Sequence, residues 1–243
     1  MRKILCILFA CCGPCCAITQ VFSQPVPSDS LQVQQAFDQA IDYFSRSVGE
    51  VRLLYNGSQY LDYDRTVKGD PYFLSTGMVS GNLYYDGTLY RQVPLQYDIQ
   101  HDQLVTLHFN QVYKVRLVED KVSYFELEGH HFIRLRDRES NLPAGFYEQL
   151  YNGPTRLLAR RVKKVQEKTR AADMEINFTE SSSYYLYREG TFRAVTSRNS
   201  LWRLLAPHKK ELLQNLKNQH IKYRKQPEQA LVESARLFDR LNH

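Results

Sequence analysis

The most constraining feature of this sequence is a long stretch with a two-residue apolar period, broken at short intervals by turn dipeptides. From residue 51 to about residue 197, apolar and polar residues alternate, as they do along a half-buried β-strand. Asn-Gly or Asp-Gly separates aromatic or apolar residues at 56–57, 86–87 and 152–153, and Glu189-Gly190 is a weaker fourth case. These dipeptides favour type I′ turns, because both central residues of such a turn need a positive φ.

The segments between these turns predict a closely spaced series of short strands. The pattern places them at residues 83–90, 93–99, 104–109, 112–118, 122–128 and 132–136. A parallel crossover needs about a dozen or more residues, so these strands must be antiparallel. Residues 155–168 would also suit a helix, and we assign them to a strand because a hairpin turn precedes them. The sequence predicts a mainly β (α+β) fold, an antiparallel meander forming an open sheet or half-barrel.

Helical periodicity appears on both sides of the β region. An apolar residue every third or fourth position predicts an N-terminal amphipathic helix over residues 31–48. After residue 198 the pattern predicts helices at 200–205, 209–219 and 227–241, the last with Pro227 in its first turn. This last helix carries a stripe of small and apolar residues, and we expect it to pack against the sheet.

The first 23 residues have the layout of an export signal. Arg2 and Lys3 precede a mostly apolar stretch, and Val21-Phe22-Ser23 offers small or aliphatic residues at a cleavage site. We predict a signal peptide at 1–23, a linker at 24–30, a helix plus antiparallel β domain at 31–198, and a basic helical appendix at 199–243. The protein is then exported, to the periplasm or the outer membrane.

The cysteines leave a second possibility open for this segment. All five lie within the first 16 residues, so cleavage after Ser23 leaves a chain without thiols, which suits an oxidising compartment. Leu8-Phe9-Ala10-Cys11 resembles a lipoprotein processing box, and the alternative is therefore a lipid-anchored Cys11. Cys12-Gly13-Pro14-Cys15 has the letters of a thioredoxin motif, but no strand can precede it to place a reactive thiolate.

Positive charge is concentrated at the C-terminal end. The chain has a formal net charge of +6, and residues 199–243 hold nine Lys or Arg against four Asp or Glu. Such a surface attracts anionic lipid headgroups or polysaccharide, although a merely solvated helix face has the same composition. We name six cations as possible contacts to an anionic surface: Lys209, Lys210, Lys217, Lys222, Arg224 and Lys225.

Strong catalytic and metal-binding motifs are missing from the sequence. It contains no Gly-x-Ser-x-Gly elbow, no His-Glu-x-x-His, no Walker loop and no dinucleotide-binding glycine pattern. The adjacent His130 and His131 face opposite sides of any regular strand, which weakens a joint metal site. If the protein is an enzyme, His130 is the candidate general base, with a carboxylate partner that the sequence does not identify. We predict no cofactor and no metal.

Four short segments of the β region carry a family resemblance. They are Gly-Asn-Leu-Tyr-Tyr-Asp-Gly at 81–87, Val-Pro-Leu-Gln-Tyr-Asp at 93–98, Asp-Gln-Leu-Val at 102–105 and Gly-His-His-Phe at 129–132. With the tyrosine-rich hairpin and the lysine-rich tail that follow, they resemble a family of uncharacterised exported proteins of Gram-negative bacteria. The resemblance implies export, and it implies no activity and no site.

The sequence as a whole predicts an exported envelope protein that binds a lipid, glycan or protein ligand and does not catalyse a reaction. By analogy of layout alone, one form of it is a half-barrel carrier of lipid or lipoprotein, which would need an apolar concave face. Association with a membrane surface is compatible with this, and we expect no nucleic-acid partner. The alternative is a secreted glycan hydrolase with two carboxylates, or a histidine and a carboxylate, in a polar cleft.

Overall fold

The computed structural model describes residues 54–63, 68–170 and 173–242, together with Ala36 and Ala40. The predicted signal peptide, the linker and, apart from those two alanines, the helix over 31–48 lie outside the described residues. The chain divides into Met1–Arg46 and Ser47–His243, and the architecture below belongs to the second unit. Within the described part, no helix is both long and apolar enough to cross a membrane.

In the described part of the chain, eleven strands form one sheet in which every ladder is antiparallel, and this confirms the mainly β class and the open sheet. Its spatial order is β1-β5-β4-β3-β2-β6-β7-β8-β9-β10-β11, and among the described residues no ladder joins β1 to β11. The strand bounds are β1 Ser58–Tyr60, β2 Val79–Tyr85, β3 Thr88–Asp98, β4 Gln103–Leu107, β5 Lys114–Arg116, β6 Val122–Leu127, β7 His130–Leu135, β8 Gly145–Tyr151, β9 Leu157–Arg170, β10 Asp173–Arg188 and β11 Thr191–Ala194. β9 confirms the strand assigned to residues 155–168.

Two connections depart from the predicted meander, because β1 pairs with β5 and not with β2, and β6 does not pair with β5. The strands from β2 to β5 and from β6 to β11 follow one another as neighbours, but β6 pairs with β2 instead of β5. After β5 the Val118 amide donates to the Tyr85 hydroxyl at 3.3 Å, a short 3-10 helix follows at Glu119–Lys121, and the Asp86 amide donates to the Lys121 carbonyl at 2.9 Å. These contacts lead the chain across three strands to the free edge of β2. Strand periodicity is local, so it does not reveal this choice of partner.

Two of the predicted type I′ turns are confirmed. Asp86 and Gly87 have φ values of 50° and 83° between β2 and β3, and Glu189 and Gly190 have values of 52° and 83° between β10 and β11. Both central residues therefore adopt the left-handed conformation that the turn requires.

The other two turn predictions are wrong, because the dipeptides at 56–57 and 152–153 lack the positive φ values that a type I′ turn needs. Their glycines instead permit close approach. A Cβ on Gly57 would lie 1.8 Å from the Arg116 carbonyl oxygen, where β1 pairs with β5. A Cβ on Gly153 would lie 2.5 Å from an Asp239 carboxylate oxygen. Asp239 also accepts the Thr155 amide at 3.0 Å, so a longer loop tied to the last helix replaces the predicted tight hairpin between β8 and β9.

The sheet is strongly curled. β3 and β9 are five strand positions apart, which would separate them by about 24 Å in a flat sheet. Yet the Lys163 amide in β9 donates to the carbonyl of Ile99, directly after β3, at 3.2 Å. The rings of Tyr97 in β3 and Phe146 in β8 lie 5.8 Å apart. Both contacts require a curl toward the face that carries these rings, which is therefore concave.

Two packed layers cover this concave face. Over β2 to β8 the core consists mainly of the sheet's own side chains, with Tyr97 touching the rings of Phe125, Phe132 and Phe146. Leu54 and Phe73, which lie outside the strands, also belong to this core. Over β9 and β10, Leu157 and Leu186 pack against the C-terminal helices. These are α1 Arg198–Leu204, α2 Lys209–Asn218 and α3 Pro227–Leu241, which confirms the predicted C-terminal helices. Their apolar stripes are buried against the sheet, against one another, and against Val195, Ile221 and Tyr223 from the connecting segments.

Candidate binding site in the helical layer

The turn after α2 shapes the site. His220 has a φ of 58°, its amide donates to the Lys217 carbonyl at 3.1 Å, and the Ile221 amide donates to the Leu216 carbonyl at 2.9 Å. These two bonds are the Schellman motif that ends many helices, with a histidine at the position where glycine is usual. The motif turns the chain so that Ile221 joins Leu216 in one buried cluster. It thereby fixes the direction of the loop that leads to α3.

An apolar cavity of about 770 Å³ opens between the three helices and this loop. Its volume lies in the range typical of small-molecule sites, roughly 300–1,000 Å³. Trp202 is 5% exposed and forms part of the wall, whereas Leu213 is 39% exposed at the opening. The apolar wall consists of Trp202, Leu213, Leu216, Ile221, Tyr223 and Pro227.

Four permanent cations surround this apolar wall. Arg198, Lys217, Lys222 and Arg224 line the cavity, and no Asp or Glu lines it. All four side chains lack an ion pair with any residue in the described part of the chain. Their positive potential therefore adds up over the cavity and favours an anionic ligand group. His220 also lines the cavity.

Three of the six predicted surface cations belong to this site. Lys217, Lys222 and Arg224 line the cavity, whereas the exposed Lys209, Lys210 and Lys225 do not. Lys210 and Lys217 are seven residues apart and so share a face of α2, but only Lys217 of the two lines the cavity. Sequence reasoning missed Arg198, because it stands at the start of a different helix and only packing brings it to Lys217.

His130 lies at a different place, where the curled sheet meets α3. Its Nδ1 is 2.5 Å from Oε1 of Glu148, and Nη2 of Arg161 is 2.5 Å from Oε2 of the same carboxylate. Arg161 also forms a two-pronged contact with Glu228 in the first turn of α3 and donates to the Ser182 hydroxyl at 2.9 Å. The carboxylate partner that the sequence did not identify for His130 is thus Glu148, on the neighbouring strand.

The electrostatics of this network suit a structural link. Burial opposes the charged form of Arg161, but its hydrogen bonds to Glu228 and Glu148 outweigh that effect and raise its pKa. The hydrogen bond from Arg161 lowers the pKa of Glu228. Burial raises the pKa of Tyr184 to about 12, so its hydroxyl stays protonated and donates to Glu228 at 2.8 Å. Glu228 is therefore ionised at neutral pH and has no proton to donate.

Two further histidines, His101 and His108, contact neighbouring side chains. The His101 Nδ1 lies 3.2 Å from the Asp98 carboxylate, and the His108 ring stacks on Tyr113 with centroids 4.2 Å apart. In the part of the chain that the structure describes, no group of three or more His, Cys, Asp or Glu side chains is arranged to hold a metal ion.

Comparison of the chain with protein-family models, with curated proteins and with solved structures found no match in any of the three. The resemblance to exported bacterial proteins therefore stays a prediction, and the function must be argued from the geometry of the site.

Proposed function

We propose that this protein is an exported, non-enzymatic envelope protein that binds a single-chain anionic amphiphile in the cavity of its helical layer. The observation that carries the proposal is the pairing of an apolar wall with four cations that have no acidic neighbour in the lining. A ligand with one acyl chain and one anionic head satisfies both parts of the site. A glycan fits less well, because an apolar wall offers few hydrogen-bond partners for its hydroxyl groups.

The curled sheet supports a carrier of the half-barrel type, with one change from the layout predicted from the sequence. Its concave face is apolar, as such a carrier requires, but that face is filled by its own aromatic side chains. Small barrels are commonly filled in this way. The apolar volume that remains open lies beside the sheet, between the helices. We therefore place the ligand among the helices, with the sheet as a rigid support.

The glycan hydrolase is the weaker alternative. A glycosidase needs one protonated carboxyl group as its general acid, usually with a raised pKa. Near His130, where the sheet meets α3, Arg161 contacts both Glu148 and Glu228, and it lowers the pKa of Glu228. This arrangement favours an ionised Glu228, so we assign His130 to the link between sheet and helix and give it no catalytic role.

Trp202 provides a direct test, because it is the chain's single tryptophan and forms part of the cavity wall. We expect lysophosphatidylglycerol to change its emission on titration, and the neutral amphiphile dodecyl maltoside to bind more weakly. Added salt should weaken binding of the anionic probe, because exposed charges are screened beyond roughly 10 Å at about 0.1 M salt.

The chain offers a matched pair of triple variants for this titration. Replacing Lys217, Lys222 and Arg224 by Gln should weaken binding of lysophosphatidylglycerol by roughly tenfold or more, since three cations leave the rim. The control replaces Lys209, Lys210 and Lys225 by Gln, which removes the same charge from outside the cavity and should change the affinity by less than about twofold. Equal losses in the two variants, or equal binding of the neutral probe, would overturn the proposed site.

Export has its own test. We predict that the mature protein begins at Gln24, after cleavage of the signal, and carries no thiol. N-terminal sequencing and intact mass of the protein recovered from the envelope decide this. A mass that fits a diacylated Cys11 terminus would instead assign the protein to a membrane surface as a lipoprotein.

A further inference from the structure

The hairpin between β4 and β5 exposes large apolar side chains at its tip. Phe109 is 69% exposed and Val112 is 80% exposed, and both stand in the six-residue connection from His108 to Tyr113. Leu61 is 76% exposed. Tyr60 pairs with Lys114 at the edge of the sheet, so the next residue, Leu61, lies opposite Tyr113 at the end of the hairpin. Three exposed apolar side chains therefore stand at one end of this edge.

The tip is held in a fixed conformation by its own contacts. The His108 amide donates to the Tyr113 carbonyl at 2.9 Å, and the Gln111 amide donates to the His108 carbonyl at 2.8 Å. The Val112 amide donates to the Asn110 side chain at 3.1 Å, and the His108 and Tyr113 rings stack. Exposure of the apolar side chains thus belongs to an ordered loop. Because these amides already have acceptors, moving the tip out of water leaves few backbone donors unpaired.

The charge of the hairpin favours an anionic surface. No Asp or Glu occurs from residue 103 to residue 118. Lys114 pairs with the nearby Asp62 across 2.5 Å, whereas Arg116 is exposed and forms no ion pair with any described residue. The Arg116 guanidinium donates to the Ser58 hydroxyl at 2.7 Å and keeps its positive charge exposed. An apolar tip followed by an exposed arginine favours the boundary between acyl chains and anionic headgroups.

We propose that the tip formed by Phe109 and Val112 docks the protein on an anionic lipid surface. A stable protein partner would need an interface of about 800 Å² on each side, which a narrow tip with few apolar side chains does not supply. A lipid surface needs no complementary face, since each apolar side chain gains by leaving water on its own. This proposal does not depend on the cavity in the helical layer, because the two sites share no residue.

Vesicle sedimentation with the purified protein tests the docking. We expect binding to vesicles of phosphatidylglycerol and phosphatidylcholine, and weaker binding to phosphatidylcholine alone. The double variant Phe109→Ser and Val112→Ser should weaken binding by roughly tenfold or more, since both side chains lose their burial in lipid. Both residues are exposed, so circular dichroism should show an unchanged fold.

The control variant carries Leu74→Ser and Leu241→Ser, which also remove two exposed apolar side chains. Neither leucine belongs to the hairpin. Leu74 follows Phe73, whose amide donates to the Tyr97 carbonyl in β3, and Leu241 is the last residue of α3. This control should bind vesicles like the parent. Equal losses in the two double variants, or no binding by the parent, would overturn the proposal.

A second measurement locates the tip directly. In a Trp202→Phe background, Phe109→Trp gives a protein with one tryptophan at the tip. Vesicles with brominated acyl chains should quench its emission if the tip enters the lipid. Analytical ultracentrifugation of the parent and of the Phe109→Ser, Val112→Ser variant tests whether the tip instead binds a second copy of the chain. A parent dimer that the variant loses, without quenching by lipid, would assign the tip to self-association and overturn lipid docking.

Discussion

Replacing Arg161 by Met should strongly destabilise the fold, because it breaks the network between the sheet and α3. The Arg161 side chain is 8% exposed, and that of Glu148 is 4% exposed. Without Arg161, the Glu148 carboxylate stays buried with His130 as its remaining partner among those described here. Removing one partner of a buried ion pair typically costs about 3–5 kcal/mol, because the other charge is left uncompensated. Glu228 adds little to this figure, since its side chain is 39% exposed and solvent screens it.

Urea denaturation, followed by Trp202 emission and by circular dichroism, measures the loss. In a thermal scan, about 3–5 kcal/mol corresponds to a drop in Tm of roughly 6–20 °C for a domain of this size. Arg193→Met is the matched control, because Arg193 pairs with Glu189 at the surface, across 3.6 Å, and such pairs contribute about 0–1 kcal/mol.

A double-mutant cycle separates the buried charge from lost packing. If an uncompensated Glu148 causes the loss, Arg161→Met should cost much less when Glu148 is already Gln, since no buried charge remains to be compensated. The reasoning is refuted if Arg161→Met is no more destabilising than Arg193→Met. An equally large cost in the Glu148→Gln background would likewise refute it, because packing would then explain the effect.

Three further predictions use the same urea assay. His220→Gly should stabilise the fold by about 1 kcal/mol, because glycine adopts the left-handed turn after α2 without strain; a loss of stability would contradict this. Gly81→Ala should destabilise by about 1–3 kcal/mol, since its Cβ would lie 2.4 Å from the Glu126 carbonyl oxygen, whereas Gly77→Ala meets no contact below 4.0 Å and should be nearly neutral. The lowered pKa of Glu228 means that its carboxylate stabilises the fold above its ordinary pKa of 4.5. The deficit of Glu228→Gln should therefore shrink as the pH falls through the lowered pKa, and a deficit independent of pH would contradict this.

The sequence by itself determined what depends on neighbours along the chain. The two-residue period reports the alternating faces of a strand, so it located most strands and the antiparallel class. Asp86-Gly87 and Glu189-Gly190 fix a positive φ at two successive residues, and this local requirement identified two hairpins. Helical periodicity after residue 198 identified the C-terminal helices for the same reason.

Only the tertiary structure decided which distant segments meet. The pairing of β6 with β2 and the curl that brings Lys163 to Ile99 depend on packing across the whole sheet, which no local pattern encodes. The same holds for the candidate sites. Arg198 and Lys217 line one cavity although they belong to different helices, and His130 finds Glu148 on another strand. The residue types were visible in the sequence, but their partners are set by long-range contacts, which the sequence pattern does not specify.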